Sequence, residues 1–552
     1  MQWLARRRCL PGLGAALVTV MLGTGCRTSP RDVQRWGTTK QGPRKLVAVL
    51  THDKYLLDLR VEAARTLIEM KPRNGKRVGI VGEDGDPENR GLIDALASLS
   101  SPERAAVIGR LVPSIVAELR RPVPTGLPGQ PAPADPSIPY KDTAFALLTH
   151  EGEQLVEDPA HRAALEEGLA EWCAADFARR VDDPSQLFGV EQVLKFLKAE
   201  GARRLPPLLV PDGKKLDLVA SLVADLGDAR TKLDASRRLV RVAVDVAAPG
   251  WKERKSPLVK SINEASRLKP TREQFEAQLD QYQEEELLRV FSSMKRVAGA
   301  PTVEYLLAFA SDRGQPEKRR AAALAALEGN IVRCAATDCD QRTLEQIDTV
   351  LAIARSSDAP DSVRDQALRR VGEMPRKLVV DRLYSLFGEK KWKIRWMAAD
   401  LVLSMSDTEQ VDEVLGNLHA ATKELAVAEP LQYGYRLGAL KGKTPPSTLA
   451  ARYVTSDQPV TSRVTALGYY FHYGTRRDLP LLTGLEADST KVPKTPDCEG
   501  IDQGCAWECE VVDGGTRMVK EVATLGQFVK FCVEPAVATR GAAAPSQSEE
   551  KR

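Results

Sequence analysis

The chain has 552 residues, 79 of them Lys or Arg against 75 Asp or Glu, and only 5% are aromatic. Charge this balanced and this evenly interspersed argues against a dedicated nucleic-acid binder, which concentrates basic residues on one face. Few aromatics beside abundant Ala, Leu, Val, Arg and Glu disfavour a β-sandwich or barrel and predict a mostly α chain, long enough for several cores or one extended array.

The first segment is basic at Arg6, Arg7 and Arg8, apolar from Leu10 to Leu22, and then small at Gly23, Thr24 and Gly25 before Cys26. That order is an export signal. Crossing a bilayer as a helix takes roughly 20 apolar residues, and this run, broken by Pro11, Gly12 and Gly14, is too short. Small residues directly before a cysteine resemble the lipobox of bacterial lipoproteins, with Leu22 one place early. The resemblance implies cleavage after residue 25, lipid on Cys26, and a polar tether over 26–42. The plainer alternative is ordinary secretion with a cut near Cys26. Arg27 after the cysteine resembles lipoproteins sorted to the outer membrane, which implies a cell-envelope protein facing the periplasm.

Residues 43–70 read as two amphipathic helices joined by the turn THDKY, the start of N-terminal helical repeats over 43–119. Within them, the acidic stretch GIVGEDGDPENRG at 79–91 lacks the ligand spacing of an EF-hand and reads as a solvated loop. The Pro- and Gly-rich segment 120–140 reads as a linker or long exposed loop. A helical array follows over 141–490, in which Cys173 occupies a helix interior as a small hydrophobe. Helix starts are predicted at Pro375 and at Ser406, where Glu409 three residues on completes a capping box.

One pattern recurs along the chain: an arginine followed at the third and fourth positions by Ala and a small or apolar residue. It appears at Arg60, Arg320, Arg364, Arg395, Arg436 and Arg463, each in a predicted second helix of a hairpin. These hairpins resemble HEAT and HEAT-like repeats, which implies an α-solenoid in which the six arginines are structural, bonding to acids such as Asp361 in an inter-repeat ladder. A hairpin cannot bury its apolar face alone, so neighbours must share a continuous core. Trp392 and Trp396 stand in the one aromatic-basic cluster, KKWKIRWMAAD, and are either core residues or a surface for a protein partner.

From 491 to 535 the texture alternates: WECEVV, a DGG turn, TRMVKEV and QFVKFCVE predict a small antiparallel β cap. Cys498, Cys505, Cys509 and Cys532 allow two disulfides with three connectivities, or a four-cysteine zinc site lacking the usual paired knuckles. Cys334 and Cys339 are placed to close a small loop. Residues 536–552 read as a disordered tail. The five histidines form no local metal-ligand pattern, and no nucleophile elbow or dinucleotide fingerprint occurs. The sequence therefore predicts a lipid-anchored, non-catalytic envelope scaffold for protein partners, with no cofactor. The alternative is an enzyme or a metal- or thiol-dependent module seated in the Cys-rich region.

Overall fold

In a computed structural model, residues 28–73, 76–82, 90–124, 133–152, 154–331, 339–493, 507–513 and 516–540 are described. Residues 1–27 with Cys26, the acidic stretch 83–89, and Cys334, Cys498 and Cys505 lie outside them. The fold is mostly α, built from helical hairpins, with a small two-stranded sheet near the C-terminus. Among the described residues no helix is long and apolar enough to cross a membrane. The chain divides into two compact units, residues 1–204 and 205–552.

The first unit stacks three hairpins. Helices Gly42–Thr51 and Leu57–Glu69 form the first, Leu92–Ala97 and Ser101–Leu119 the second, Ile138–Thr149 and Pro159–Ala174 the third. First helices pack on first helices and second on second in chain order. Each lays an apolar face on its neighbours, with Leu46, Leu67, Leu96, Leu111 and Leu165 fully buried.

Two expectations are corrected here. The segment 26–42 is not all tether: Ser29 caps a helix Pro30–Trp36 through a reciprocal bond with Asp32, and Val33 is fully buried. The Pro-rich segment is not a linker between domains, because both of its ends are tied to this unit. Arg179 donates to the carbonyls of Pro124 and Pro133, and Asp135 and Ser137 are buried beside Trp172.

In the second unit, five successive hairpins run from Ala300 to Tyr473, again with second helices stacked in order: Glu317–Ala326, Asp361–Val371, Trp392–Ser404, Ala428–Ala439 and Val460–Tyr473. This is the arrangement of an α-solenoid. A sixth hairpin precedes them, made of helices Ala229–Ala247 and Arg272–Val297, with helix Pro249–Ala265 inserted between the two. That insertion obscures the repeat in the sequence. Ser406 does not cap the following helix; its hydroxyl donates back to the Val402 carbonyl, and the helix begins at Val411.

At the C-terminal end, strand Glu508–Asp513 pairs antiparallel with Thr516–Glu521. The third predicted strand is instead helical. Thr524 and Gln527 form a capping box that opens helix Leu525–Phe528, which continues through a π-helical turn Val529–Val533 into helix Glu534–Ala538. Helix thus extends past residue 535 into the predicted tail. Trp507 and Phe528 pack edge to face in the core shared with the last hairpins, and the Trp507 indole donates to Leu425 O at 2.8 Å. Cys509 and Cys532 form a disulfide across this cap.

Candidate functional site

The six arginines separate into classes by position. Arg60, Arg320, Arg364, Arg395 and Arg463 are each the fourth residue of their helix, whereas Arg436 is the ninth of helix Ala428–Ala439 and stands out of register. In three hairpins the intervening turn has the same length, over 52–56, 312–316 and 356–360. There the arginine Nε donates to the carbonyl ten residues back: Arg60 to Leu50 at 2.7 Å, Arg320 to Ala310 at 2.8 Å, Arg364 to Ala354 at 3.1 Å. A helix end leaves its last carbonyls without partners, and the guanidinium supplies one.

The remaining donors reach into other repeats. Arg60 pairs with Glu103 at 3.3 Å, Arg364 with Glu389, Arg395 with Glu429 and Arg463 with Asp488. Asp361, however, is held by Lys391 at 2.7 Å rather than by an arginine. Arg436 reaches backward and grips Asp400 with both arms, at 2.7 and 2.9 Å. A seventh arginine belongs with the first class: Arg104, fourth in its helix and buried, donates to Glu157 at 2.8 Å. The sequence pattern misses it because Val107, not Ala, follows at the third position.

The buried pair Arg395–Glu429 is the most completely bonded. Glu429 accepts from Arg395 at 2.9 and 2.7 Å, from the Ala426 N–H at 2.6 Å and from the Tyr433 hydroxyl at 3.1 Å. Burial opposes the charge on Arg395, but the bidentate bond to Glu429 more than offsets this and raises its pKa. Trp392 and Trp396 stand nearby on the same helix, their rings 6.1 Å apart. Trp392 is only 8% exposed and packs into the core, whereas Trp396 is half-buried.

Aromatic surface is displayed elsewhere, on helices Ala428–Ala439 and Val460–Tyr473. These two approach unusually closely: a Cβ on Gly434 would lie 2.1 Å from the Gly468 carbonyl carbon, and one on Gly468 would lie 2.0 Å from Pro430 O. Only glycine permits that contact. The close approach aligns Tyr435, Tyr473 and Tyr469 in a stack, with centroids 6.0 and 5.4 Å apart and planes within 28° of parallel. Tyr435 is 45% exposed, Tyr469 and Tyr473 are half-buried, and the Tyr473 hydroxyl donates to Tyr435 O at 3.1 Å. His472 meets Tyr435 edge-on at 5.4 Å, and burial lowers its pKa. Arg540 donates to the carbonyls of Tyr470, Phe471 and Gly474, closing the end of this helix. The result is a stacked, amphipathic ring surface, apolar on the ring faces and polar at the hydroxyls. No motif marked it; the run GYYFHY shows only that aromatics are concentrated there.

Among solved structures, the chain is similar to importin beta. That crystal structure, obtained in a polyethylene glycol condition, shares 13% identity, covers 84% of this chain and 70% of its own, and superposes at a TM-score of 0.22. No family model matches, and neither does any curated protein. The helical-repeat description therefore rests on this chain's own hairpins and their order of packing.

A second polar constellation, in the first unit, has no signature in the sequence. Lys141 and Asp142 are fully buried in helix Ile138–Thr149 and bond at 2.6 Å. Asp142 also pairs with Arg77 at 2.9 Å and accepts the backbone N–H groups of Leu187 and Phe188 at 3.0 and 3.2 Å. Beside them, Arg180 lies over the Trp172 ring and pairs with Asp135 at 2.9 Å. Burial acts to raise the Asp135 pKa, but bonds from Ser137 and the Arg180 charge bring it below the usual carboxylate range. Burial lowers the Lys141 pKa and pushes the Cys173 thiol up to about 12, so Cys173 stays protonated at neutral pH. These groups pair with one another and tie the segment 182–189 to the core. In the Cys-rich region, Cys509 and Cys532 are bonded to each other, and Cys339 is also disulfide-bonded.

Proposed function

We propose that this protein is a lipid-anchored scaffold of the bacterial cell envelope, held by lipid on Cys26 and offering its helical repeats to protein partners without catalysing a reaction. The observation that carries the binding part is the tyrosine stack of Tyr435, Tyr469 and Tyr473. Aromatic side chains with hydroxyl tips supply large contact area at small entropic cost, and here close glycine packing of two helices brings three of them into one stack. Export rests on the basic, apolar and small-residue order before Cys26, and outer-membrane sorting on Arg27.

The test places a photo-reactive amino acid at Tyr435 in the cell, with one at exposed Val519 as control. A reproducible set of envelope proteins captured from position 435, and lost with Tyr473→Ala, supports the scaffold. Capture equal at both positions, or none at either, removes it. Cys26→Ser run alongside reports the anchor: the variant is expected to leave the membrane fraction.

A further inference from the structure

The first hairpin turn, 52–56, differs from its counterparts at 312–316 and 356–360. Those end in Pro316 and Pro360, whereas this one ends in Leu56. Leu56 is 82% exposed, the highest value for a large apolar side chain among the described residues. It lines a groove of about 870 Å³ together with Tyr55, Leu59, Lys54, Pro30 and Thr28. Thr28 is two residues from Cys26, so the groove opens where the anchored end of the chain begins.

Chain geometry sharpens this. Ser29 caps the helix beginning at Pro30, which leaves Cys26 only four Cα steps from folded structure, a span of at most about 14 Å. A chain held by lipid on Cys26 therefore keeps this end of the unit within about 14 Å of the lipid-bearing residue. The chemistry of the face suits that position: Lys54 sits 4.9 Å from the Tyr55 ring, pairing a snorkelling cation with an interfacial aromatic, and Leu56 projects beside them. Charges around it are mixed. Lys54 is accompanied by Asp53, Asp58 and Glu62, and Arg110 lies 4.0 Å from Asp58. Apolar insertion rather than attraction to anionic lipid is therefore the driving term.

We propose that the 52–56 turn and its groove are a membrane seat: Tyr55 and Leu56 enter the headgroup–acyl boundary of the bilayer that holds Cys26. The proposal rests on the reading of Cys26 as a lipid anchor. Its test uses the full mature chain purified with its lipid and reconstituted into phosphatidylcholine vesicles, and separately into phosphatidylethanolamine–phosphatidylglycerol vesicles. Leu56→Cys carries an NBD fluorophore, and the chain without the added cysteine serves as the labelling blank. The expected result is flotation with the vesicles, a blue-shifted and several-fold brighter emission, and quenching by spin-labelled acyl chains, alike in both lipids. Flotation with the fluorophore reporting water overturns the seat and leaves the anchor standing. Signal only with anionic vesicles overturns the insertion mechanism. Failure of the wild-type chain to float, or equal flotation of Cys26→Ser, overturns the anchor and the seat with it.

Discussion

Arg364 and Ala354 are joined by a hydrogen bond from the arginine Nε to the alanine carbonyl at 3.1 Å, and the same ten-residue step joins Arg320 to Ala310 and Arg60 to Leu50. One side chain thus closes the first helix of a hairpin from the second, and its other nitrogens are left for the neighbouring repeat. Arg364 uses them on Glu389.

Removing that guanidinium leaves the Ala354 carbonyl and the Glu389 carboxylate without it, in a place where Arg364 itself is 1% exposed. Arg364→Ala is expected to destabilise the second unit by about 3 kcal/mol. Arg364→Lys keeps the charge but cannot serve both acceptors, and is expected to cost about 1–2 kcal/mol. Urea denaturation followed by circular dichroism measures both; equal midpoints for wild type and the alanine variant would remove the arginine from the stability argument.

Two glycines give opposite expectations for the same substitution. Gly434→Ala drives a methyl group into the backbone of Gly468 and Tyr469, and should cost about 3 kcal/mol or more and separate the tyrosine stack. At Gly416, inside helix Val411–Ala421, an added Cβ would meet nothing within 4 Å, so Gly416→Ala should stabilise by about 0.5–1 kcal/mol. Thermal melts of the two variants side by side decide the matter.

His472 predicts a pH dependence. Its folded pKa is lowered from 6.5 by burial, with Arg540 adding to the effect, so the unfolded chain binds the proton more readily. Stability from this group is complete above about pH 6.5 and is lost as pH falls below it. The melting temperature of the wild type should therefore drop between pH 7 and pH 5 more steeply than that of His472→Phe. Parallel curves for the two proteins would show that the histidine carries none of the slope.

The Cys509–Cys532 bridge closes a 23-residue separation around the two-stranded sheet. On the chain-entropy account such a loop contributes about 3 kcal/mol. Reductant, or Cys532→Ser, should lower the melting temperature and expose Trp507, read as a red shift in its emission. The bridge lies over the core that Trp507 shares with the last hairpins, so the change should extend beyond the cap itself.

Local patterns were enough to place most helices of the second unit and the hairpin at 43–70, because apolar spacing and turn residues act over a few residues. The arginine pattern also marked five of the six positions in register. Where it failed, distance was the reason: Arg436 matches the pattern, but its partner Asp400 comes from the preceding stacked helix. Arg104 does not match it, yet it is buried and bonded to Glu157 all the same. QFVKFCVE, rich in Val and Phe, fits a strand as well as a helix, and the choice fell to its capping box and to packing against Trp507. Lys141 and Asp142 carry no mark of burial in the sequence and are fully buried, since the groups that pair with or donate to Asp142, namely Arg77, Leu187 and Phe188, are more than forty residues away. The sequence by itself determined helix class, hairpin order and the basic, apolar and small-residue order before Cys26. Only the tertiary structure decided which arginines pair with which acids, where the tyrosines stack and that Leu56 projects beside Thr28, because a side chain's partner depends on what folding brings within about 4 Å of it.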